Sequence, residues 1–330
     1  MTSFPSNTIP GLWADLQRLP DLTELATIMS TPASVLFPTD IFVSHGYAEH
    51  LVDLGEVTMN YAVTGPESAP ALLLVPGQTE SWWGYEQAMK RLEDRFRLYA
   101  VDLRGQGRST RTPGRYTVDN IGNDLVRFIQ AVIRRPTIVC GLSSGGVLSA
   151  WLSAYAPPGL VRAALLEDPP LFGAEHKTSC GHKHHESLVS LMFTAFSKYL
   201  GDQWSVGDWA GFVTAVKTTM PPMLAARPYD PASPPQMLKE YDPEWARACI
   251  EGTMFASCDH ARMLAQVKTP VLLTHHFRGV EPQTGLFAGA LSDEQAARVG
   301  DLVKANGQRF DYQSFPEMGH FMHAQDPDRY

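Results

Sequence analysis

Short unbroken apolar runs alternate with stretches whose apolar residues recur every three or four positions, and this alternation organises most of the chain. Ala71-Leu-Leu-Leu-Val75 is apolar throughout, as a strand buried on both faces must be. Residues 96–101, 136–140, 160–166, 267–274 and 309–315 read as further strands. Between them, residues 83–92 and 292–305 carry helical spacing, as do Ile121, Leu125, Phe128, Ile129 and Val132. Val147, Leu148, Trp151, Leu152 and Tyr155 make one apolar helix face. Ahead of these, residues 51–54 and 57–63 flank Gly55 and predict a hairpin. Buried strands alternating with amphipathic helices predict an α/β fold with a doubly wound, mostly parallel sheet.

The alternation fails in two places. Residues 1–40 carry Leu12, Leu16, Leu19, Leu22, Leu25 and Ile28, broken by Pro20 and Pro32. They predict an N-terminal extension of one or two short amphipathic helices, or a partly ordered arm; such helices could mediate self-association into a homo-oligomer. Residues 171–266 are rich in aromatics, methionine and proline and contain helical pieces but no buried-strand run. They predict a helical cap inserted between a first core part at 41–170 and a second at 267–330. In open α/β sheets ligands bind at the edge such an insertion would cover.

Composition narrows the function. The chain has 330 residues and a formal net charge of −8, which argues against nucleic acid or an anionic membrane as partner. No apolar run has the length of a membrane span, and residues 1–6 lack the basic and apolar regions of a secretory signal. The cysteines, Cys140, Cys180, Cys249 and Cys258, form no close pair and read as reduced thiols in a cytoplasmic protein.

Candidate chemistry begins where the strand at 136–140 meets the helix after it. Gly141-Leu-Ser-Ser-Gly145 has the Gly-x-Ser-x-Gly spacing of a nucleophile elbow, with Ser143 as nucleophile. The backbone N–H of Ser144 is one expected oxyanion donor. The second is Gln78, in the loop Val75-Pro-Gly-Gln-Thr79 after the first buried strand. His320, just past the last strand, is the expected base, with His323 as alternative. The acid is open among three carboxylates: Asp168 is preferred, then Glu167, then Glu281. Strand alternation points Glu167 and Asp168 to opposite sides, so only one faces the histidine.

Other motifs carry less. Asp102-Leu-Arg-Gly-Gln-Gly-Arg-Ser109 reads as a structural turn with Asp102 and Arg104 making local bonds; it lacks the Lys-Ser/Thr of a phosphate loop. His176, Cys180, His182, His184 and His185 match no common zinc spacing and read as a solvated loop, so no metal is expected. Trp204, Trp209, Phe212, Met220, Met223 and Trp245 read mainly as the core of the insertion, with Trp209 and Phe172 the leading candidates for substrate contact.

The elbow, the Pro76-Gly77 loop, the 102–109 turn and the late Gly319-His320 together resemble an α/β-hydrolase over residues 41–330. More narrowly, Gly141-Leu-Ser-Ser-Gly-Gly146, Glu167-Asp-Pro169, Leu238-Lys-Glu-Tyr-Asp-Pro-Glu-Trp245 and Thr274-His-His276 resemble the bacterial zearalenone lactonases. That resemblance implies a serine triad of Ser143, Asp168 and His320, with Gln78 and Ser144 as oxyanion donors, opening the ester of a macrocyclic resorcylic lactone. It implies no cofactor, and a small apolar lactone or ester as the partner. A carboxylesterase, a carbon–carbon bond hydrolase or a hydrolase-fold ligand sensor are the alternatives; epoxide hydrolases and dehalogenases of the fold carry aspartate at the elbow. Two departures stand out: the chain ends at Tyr330, where the fold usually adds a helix and a cut-short chain is expected, and the loop at 176–185 has no counterpart.

Overall fold

The computed structural model describes residues 43–173, 188–201 and 207–330. The helices expected around Leu12 to Ile28, the 176–185 histidines and Trp204 lie outside the described residues.

Among the described residues the hairpin comes first: β1 (Glu49–Asp53) pairs antiparallel with β2 (Thr58–Thr64) across Gly55, whose φ of 94° only glycine adopts readily. β3 (Ala71–Val75), buried at every position, leads through a 3₁₀ turn at Trp82–Tyr85 into α1 (Glu86–Leu92). β4 (Arg97–Val101) follows, then α2 (Val118–Phe128), whose first turn is capped by the Thr117 side chain. That helix runs on into a π turn at Ile129–Ile133, closed by Arg134 in the left-handed region. β5 (Thr137–Leu142), α3 (Ser144–Tyr155) and β6 (Val161–Glu167) complete the first alternation.

Between β6 and the next strand the chain is helical among the described residues. It forms α4 (Leu188–Tyr199), α5 (Trp209–Thr219), α6 (Pro222–Ala225), α7 (Gln236–Lys239), α8 (Glu244–Glu251) and α9 (His260–Leu264). The alternation resumes with β7 (Val271–His275). A hairpin of β8 (Gly279–Val280) and β9 (Phe287–Ala288), absent from the sequence reading, precedes α10 (Asp293–Ala305), β10 (Phe310–Ser314) and a short α11 (Met322–Gln325). Two-residue strands are too short to show a period, which is why β8 and β9 left no pattern.

Among the described residues the main sheet has eight strands in the order β1-β2-β4-β3-β5-β6-β7-β10, parallel from β4 to β10. Its register brings the C-terminal ends into line: Val75 lies opposite Gly141, Leu142 opposite Glu167, Glu167 opposite Thr274, and His275 opposite Ser314. Five loops carrying the candidate residues, after β3, β5, β6, β7 and β10, therefore leave one edge of the sheet side by side.

Candidate active site

Ser143 sits where β5 turns into α3, with φ 54° and ψ −121°. A non-glycine residue held there costs on the order of 1–3 kcal/mol and persists only when its surroundings fix it. Here the Ser143 N–H donates to Glu167 O at 2.8 Å, and the flanking glycines remove side chains that could not fit. A Cβ on Gly141 would lie 2.1 Å from Gly145 O, and one on Gly145 would lie 2.1 Å from Val75 O. Of the five described non-glycine residues with positive φ, four (Thr79, Ser143, Asp168 and Phe172) follow the ends of β3, β5 and β6; the fifth, Arg134, ends the π turn. Backbone strain is concentrated at the edge where the candidate residues meet.

Asp168 and His320 form a close polar contact at that edge. His320 Nδ1–H donates to Asp168 Oδ2 at 2.6 Å, which leaves Nε2 as the proton acceptor. Asp168 is buried and held from its other side: Oδ1 accepts the His276 N–H at 3.1 Å, and its own N–H donates to Thr274 O at 2.9 Å. Burial favours the neutral acid, but the hydrogen bond and charge of His320, with His276 adding to them, hold the Asp168 carboxyl below its ordinary pKa. Burial likewise disfavours the imidazolium of His320, yet Asp168 outweighs it, with Glu167 and Glu80 adding to its pull, and the His320 pKa is raised. His276 Nδ1–H also donates to His320 O at 3.3 Å, fixing the histidine loop. Ser143 Oγ bonds to no described residue; contacts between nucleophile and base are commonly long until a ligand closes the site.

The two other carboxylates weighed as the acid do not reach His320. Glu167 faces the opposite way, as strand alternation requires, and binds His323 through both carboxylate oxygens at 3.0 Å. Glu281 caps the β8–β9 turn, accepting from Gln283 N–H, Thr284 N–H and Thr284 Oγ1–H. His323, the alternative base, is fully buried with both ring nitrogens committed to carboxylates. His276, which fixes both Asp168 and His320, was not singled out from the sequence. Its bond to Asp168 is made by a backbone N–H, which no residue type announces.

The N–H groups of Gln78 and Ser144 bond to no acceptor among the described residues, and Ser144 opens α3, where a helix leaves its first donors unpaired. Gly77 packs close enough to Ser143 that an added Cβ would lie 3.2 Å from Ser143 Cβ, so the two donor loops adjoin. The Gln78 side chain is used elsewhere: Nε2 donates to Tyr241 Oη, and Oε1 accepts from Cys249 Sγ at 3.4 Å.

Tyr241 belongs to a segment that binds the helical region to the sheet edge. Glu240 accepts from Ser81 Oγ and, at 2.9 Å, from Trp83 Nε1. Asp242, fully buried, pairs with Arg111 at 2.6 Å, accepts from Tyr116 Oη and donates its N–H to Gly105 O at 2.8 Å. Trp245 Nε1–H donates to Arg104 O at 2.8 Å. Within the 102–109 turn Asp102 accepts the expected local bond from Arg108 N–H, and others from the more distant Asn60 side chain and Trp82 N–H, while burial pushes its pKa up to about 7. Arg104 departs from expectation: its guanidinium reaches α2 in a two-pronged pair with Asp124 at 2.7 and 2.9 Å, because a cation this buried needs a full counter-charge.

Trp209 and Phe172 both sit in packing. Trp209 stacks on Phe212 at 4.9 Å and gives its indole N–H to Asp230 O. Phe172 lies beneath the Arg298 guanidinium at 4.1 Å, with its N–H on His260 Nδ1 and its carbonyl accepting from Gln295. At 4 % and 2 % exposure neither offers a ring face to a ligand, so their assignment as substrate contacts finds no support in this packing. Among the described residues there is no cluster of three or more His, Cys, Asp or Glu suited to a metal ion, and no helix long and apolar enough to cross a membrane.

A model of the alpha/beta hydrolase family matches residues 72–330. The chain is similar to 2-(acetamidomethylene)succinate hydrolase of Mesorhizobium japonicum, 33% identical over 159 residues, which cover 46% of this chain and 56% of that protein. It is also similar to 3-oxoadipate enol-lactonase 2 of Acinetobacter baylyi, 30% identical over 104 residues, covering 31% and 38%. The matched stretches thus span between about a third and a little over half of these relatives' own length. Among solved structures, E-2-(acetamidomethylene)succinate hydrolase superposes with a TM-score of 0.59 at 21% identity, covering 86% of this chain and 96% of its own. The enol-lactonase from Burkholderia xenovorans LB400 gives 0.55 at 16% identity, covering 85% and 96%. These two likenesses establish a shared fold.

Proposed function

The chain belongs to the alpha/beta hydrolase family, and from that premise we propose that it is a serine hydrolase that opens a macrocyclic lactone of the zearalenone type. The observation that carries the chemistry is the Asp168–His320 bond of 2.6 Å beside a strained Ser143. The macrocyclic substrate rests on the resemblance of residues 141–146, 167–169, 238–245 and 274–276 to the zearalenone lactonases. We read residues 171–266 as the lid over the site, and the protein as cytoplasmic, in keeping with free Cys140, Cys249 and Cys258.

In this reading His320 Nε2 takes the Ser143 proton as Oγ attacks the lactone carbonyl, and Asp168 holds the imidazolium that forms. The N–H groups of Gln78 and Ser144 hold the oxyanion; one such donor is typically worth about 3 kcal/mol of transition-state stabilisation. The intermediate collapses, the ester C–O bond breaks, and His320 returns the proton to the leaving alkoxide. Because the substrate is a ring, that alcohol stays tethered to the acyl-enzyme. Water, deprotonated by His320, then releases the hydroxy acid. No cofactor enters the scheme.

A second reading, hydrolysis of a smaller ester or enol-lactone, is favoured by the names of the similar proteins, an enol-lactonase and a succinate-derivative hydrolase. Mass spectrometry of zearalenone incubated with the protein separates the two. The first reading expects multiple turnovers to a product heavier by one water. Turnover of p-nitrophenyl acetate with zearalenone untouched would replace it by the second.

A further inference from the structure

Beside the Asp168–His320 pair lies a buried set of ionisable groups that the proposed reaction does not use. His323, on α11 and fully buried, stands between two buried carboxylates. Its Nδ1 is 3.0 Å from both oxygens of Glu167, and its Nε2 is 2.7 Å from Glu80 Oε1. A protonated ring donates from both nitrogens, one toward each carboxylate. Burial works against that cation, but Glu80 and Glu167 outweigh it and push the His323 pKa up to about 10. Tyr85 stacks on the ring at 4.1 Å.

Each carboxylate leads to a different part of the candidate site. Glu80 Oε2 accepts the N–H of Gly77, the residue before Gln78, at 3.1 Å. Gly84 leaves room for that bend: a Cβ there would lie 2.3 Å from Glu80 Oε1. Glu167 Oε1 accepts the backbone N–H of His323 at 3.1 Å, three residues past His320, while the Glu167 carbonyl accepts the Ser143 N–H. The Tyr85 hydroxyl donates to Val75 O and accepts the Leu142 N–H, both at 3.1 Å, bridging the ends of β3 and β5. One unbroken chain of bonds thus runs from the Gly77–Gln78 loop through Glu80, His323 and Glu167 to the loop that carries His320.

We propose that His323 is a positioning residue that, through Glu80 and Glu167, holds the Gly77–Gln78 donor loop in register with the His320 loop. The proposal rests on the serine-hydrolase reading above. Without the imidazolium, two carboxylates would face each other in a dry site, and one must take up a proton or move. Either change loosens a loop whose placement matters mainly in the transition state, so kcat should fall while KM stays put.

The test uses the whole chain, p-nitrophenyl acetate as substrate and diethyl p-nitrophenyl phosphate as a label for the nucleophile, with far-ultraviolet circular dichroism to confirm folding. Glu80→Ala and His323→Gln are each expected to lower kcat roughly 10- to 100-fold with KM within about twofold of wild type. The double variant is expected within about threefold of the poorer single one, because both break the same chain. Glu80→Gln keeps an acceptor for Gly77 N–H and a donor for a neutral imidazole, and is expected to retain kcat within about threefold. If His323→Gln does not fold, the contrast between Glu80→Ala and Glu80→Gln carries the test. Unchanged kcat in folded Glu80→Ala, or equal losses in the Ala and Gln variants, overturns the positioning role alone. A wild-type chain that takes no diethylphosphoryl group on Ser143 overturns the triad reading and the positioning role with it.

Discussion

At the scale of single residues, the account stands on which carboxylate orients His320. Asp168→Asn keeps the shape of the acid but favours the wrong imidazole tautomer, and is expected to lower kcat by roughly 10³- to 10⁴-fold. Glu281→Gln, altered in a hairpin turn, is expected to leave kcat within about twofold; steady-state rates on p-nitrophenyl acetate check both. The raised pKa of His320 has a kinetic consequence as well. The base must be neutral, so kcat/KM is expected to fall on acidification with an apparent pKa above the ordinary imidazole value of about 6.5, read from a pH–rate profile. Ser143 and His320 were legible because a local glycine pattern and a position after the last strand mark them. Strand parity allowed only one of Glu167 and Asp168 to face His320 without choosing between them, and the two side chains do face opposite ways. His276 and the Glu80–His323–Glu167 set were not legible. One acts on Asp168 through a backbone N–H, and the others meet across 243 and 156 positions of chain.

At the scale of elements, unbroken apolar runs disclosed the buried strands and helical spacing disclosed α1, α2, α3 and α10, with ends displaced by a few residues. What the pattern did not disclose is how the helical region is fastened. Glu240, Tyr241, Asp242 and Trp245 form a compact string whose partners lie 126 to 163 positions away, at Ser81, Gln78, Tyr116, Arg111 and Arg104. Hydrophobic period carries no information about polar partners at that distance. Asp242 is the most committed of the four, since one of its buried carboxylate oxygens accepts from both Arg111 and the Tyr116 hydroxyl. Asp242→Ala is expected to cost about 3 kcal/mol of stability, read as a lower denaturant midpoint at unchanged slope.

For the molecule as a whole, burying an imidazolium ties stability to pH. The folded pKa of His323 is raised to about 10, above its unfolded value, so the folded state holds a proton that the unfolded state releases. Its stabilising contribution is complete below about pH 6.5 and is lost as pH rises towards about 10, at up to about 1.4 kcal/mol per pH unit. Chemical denaturation across that window is expected to show this alkaline decline in the wild type and a weaker one in His323→Gln. The central claim is that Ser143 opens an ester held in a ring. Rapid-quench mass spectrometry of the protein mixed with zearalenone tests it most directly. The account predicts an adduct equal to the whole lactone on the peptide bearing Ser143, decaying to a product heavier by one water, and neither species with Ser143→Ala. Undiminished product formation by Ser143→Ala would contradict it.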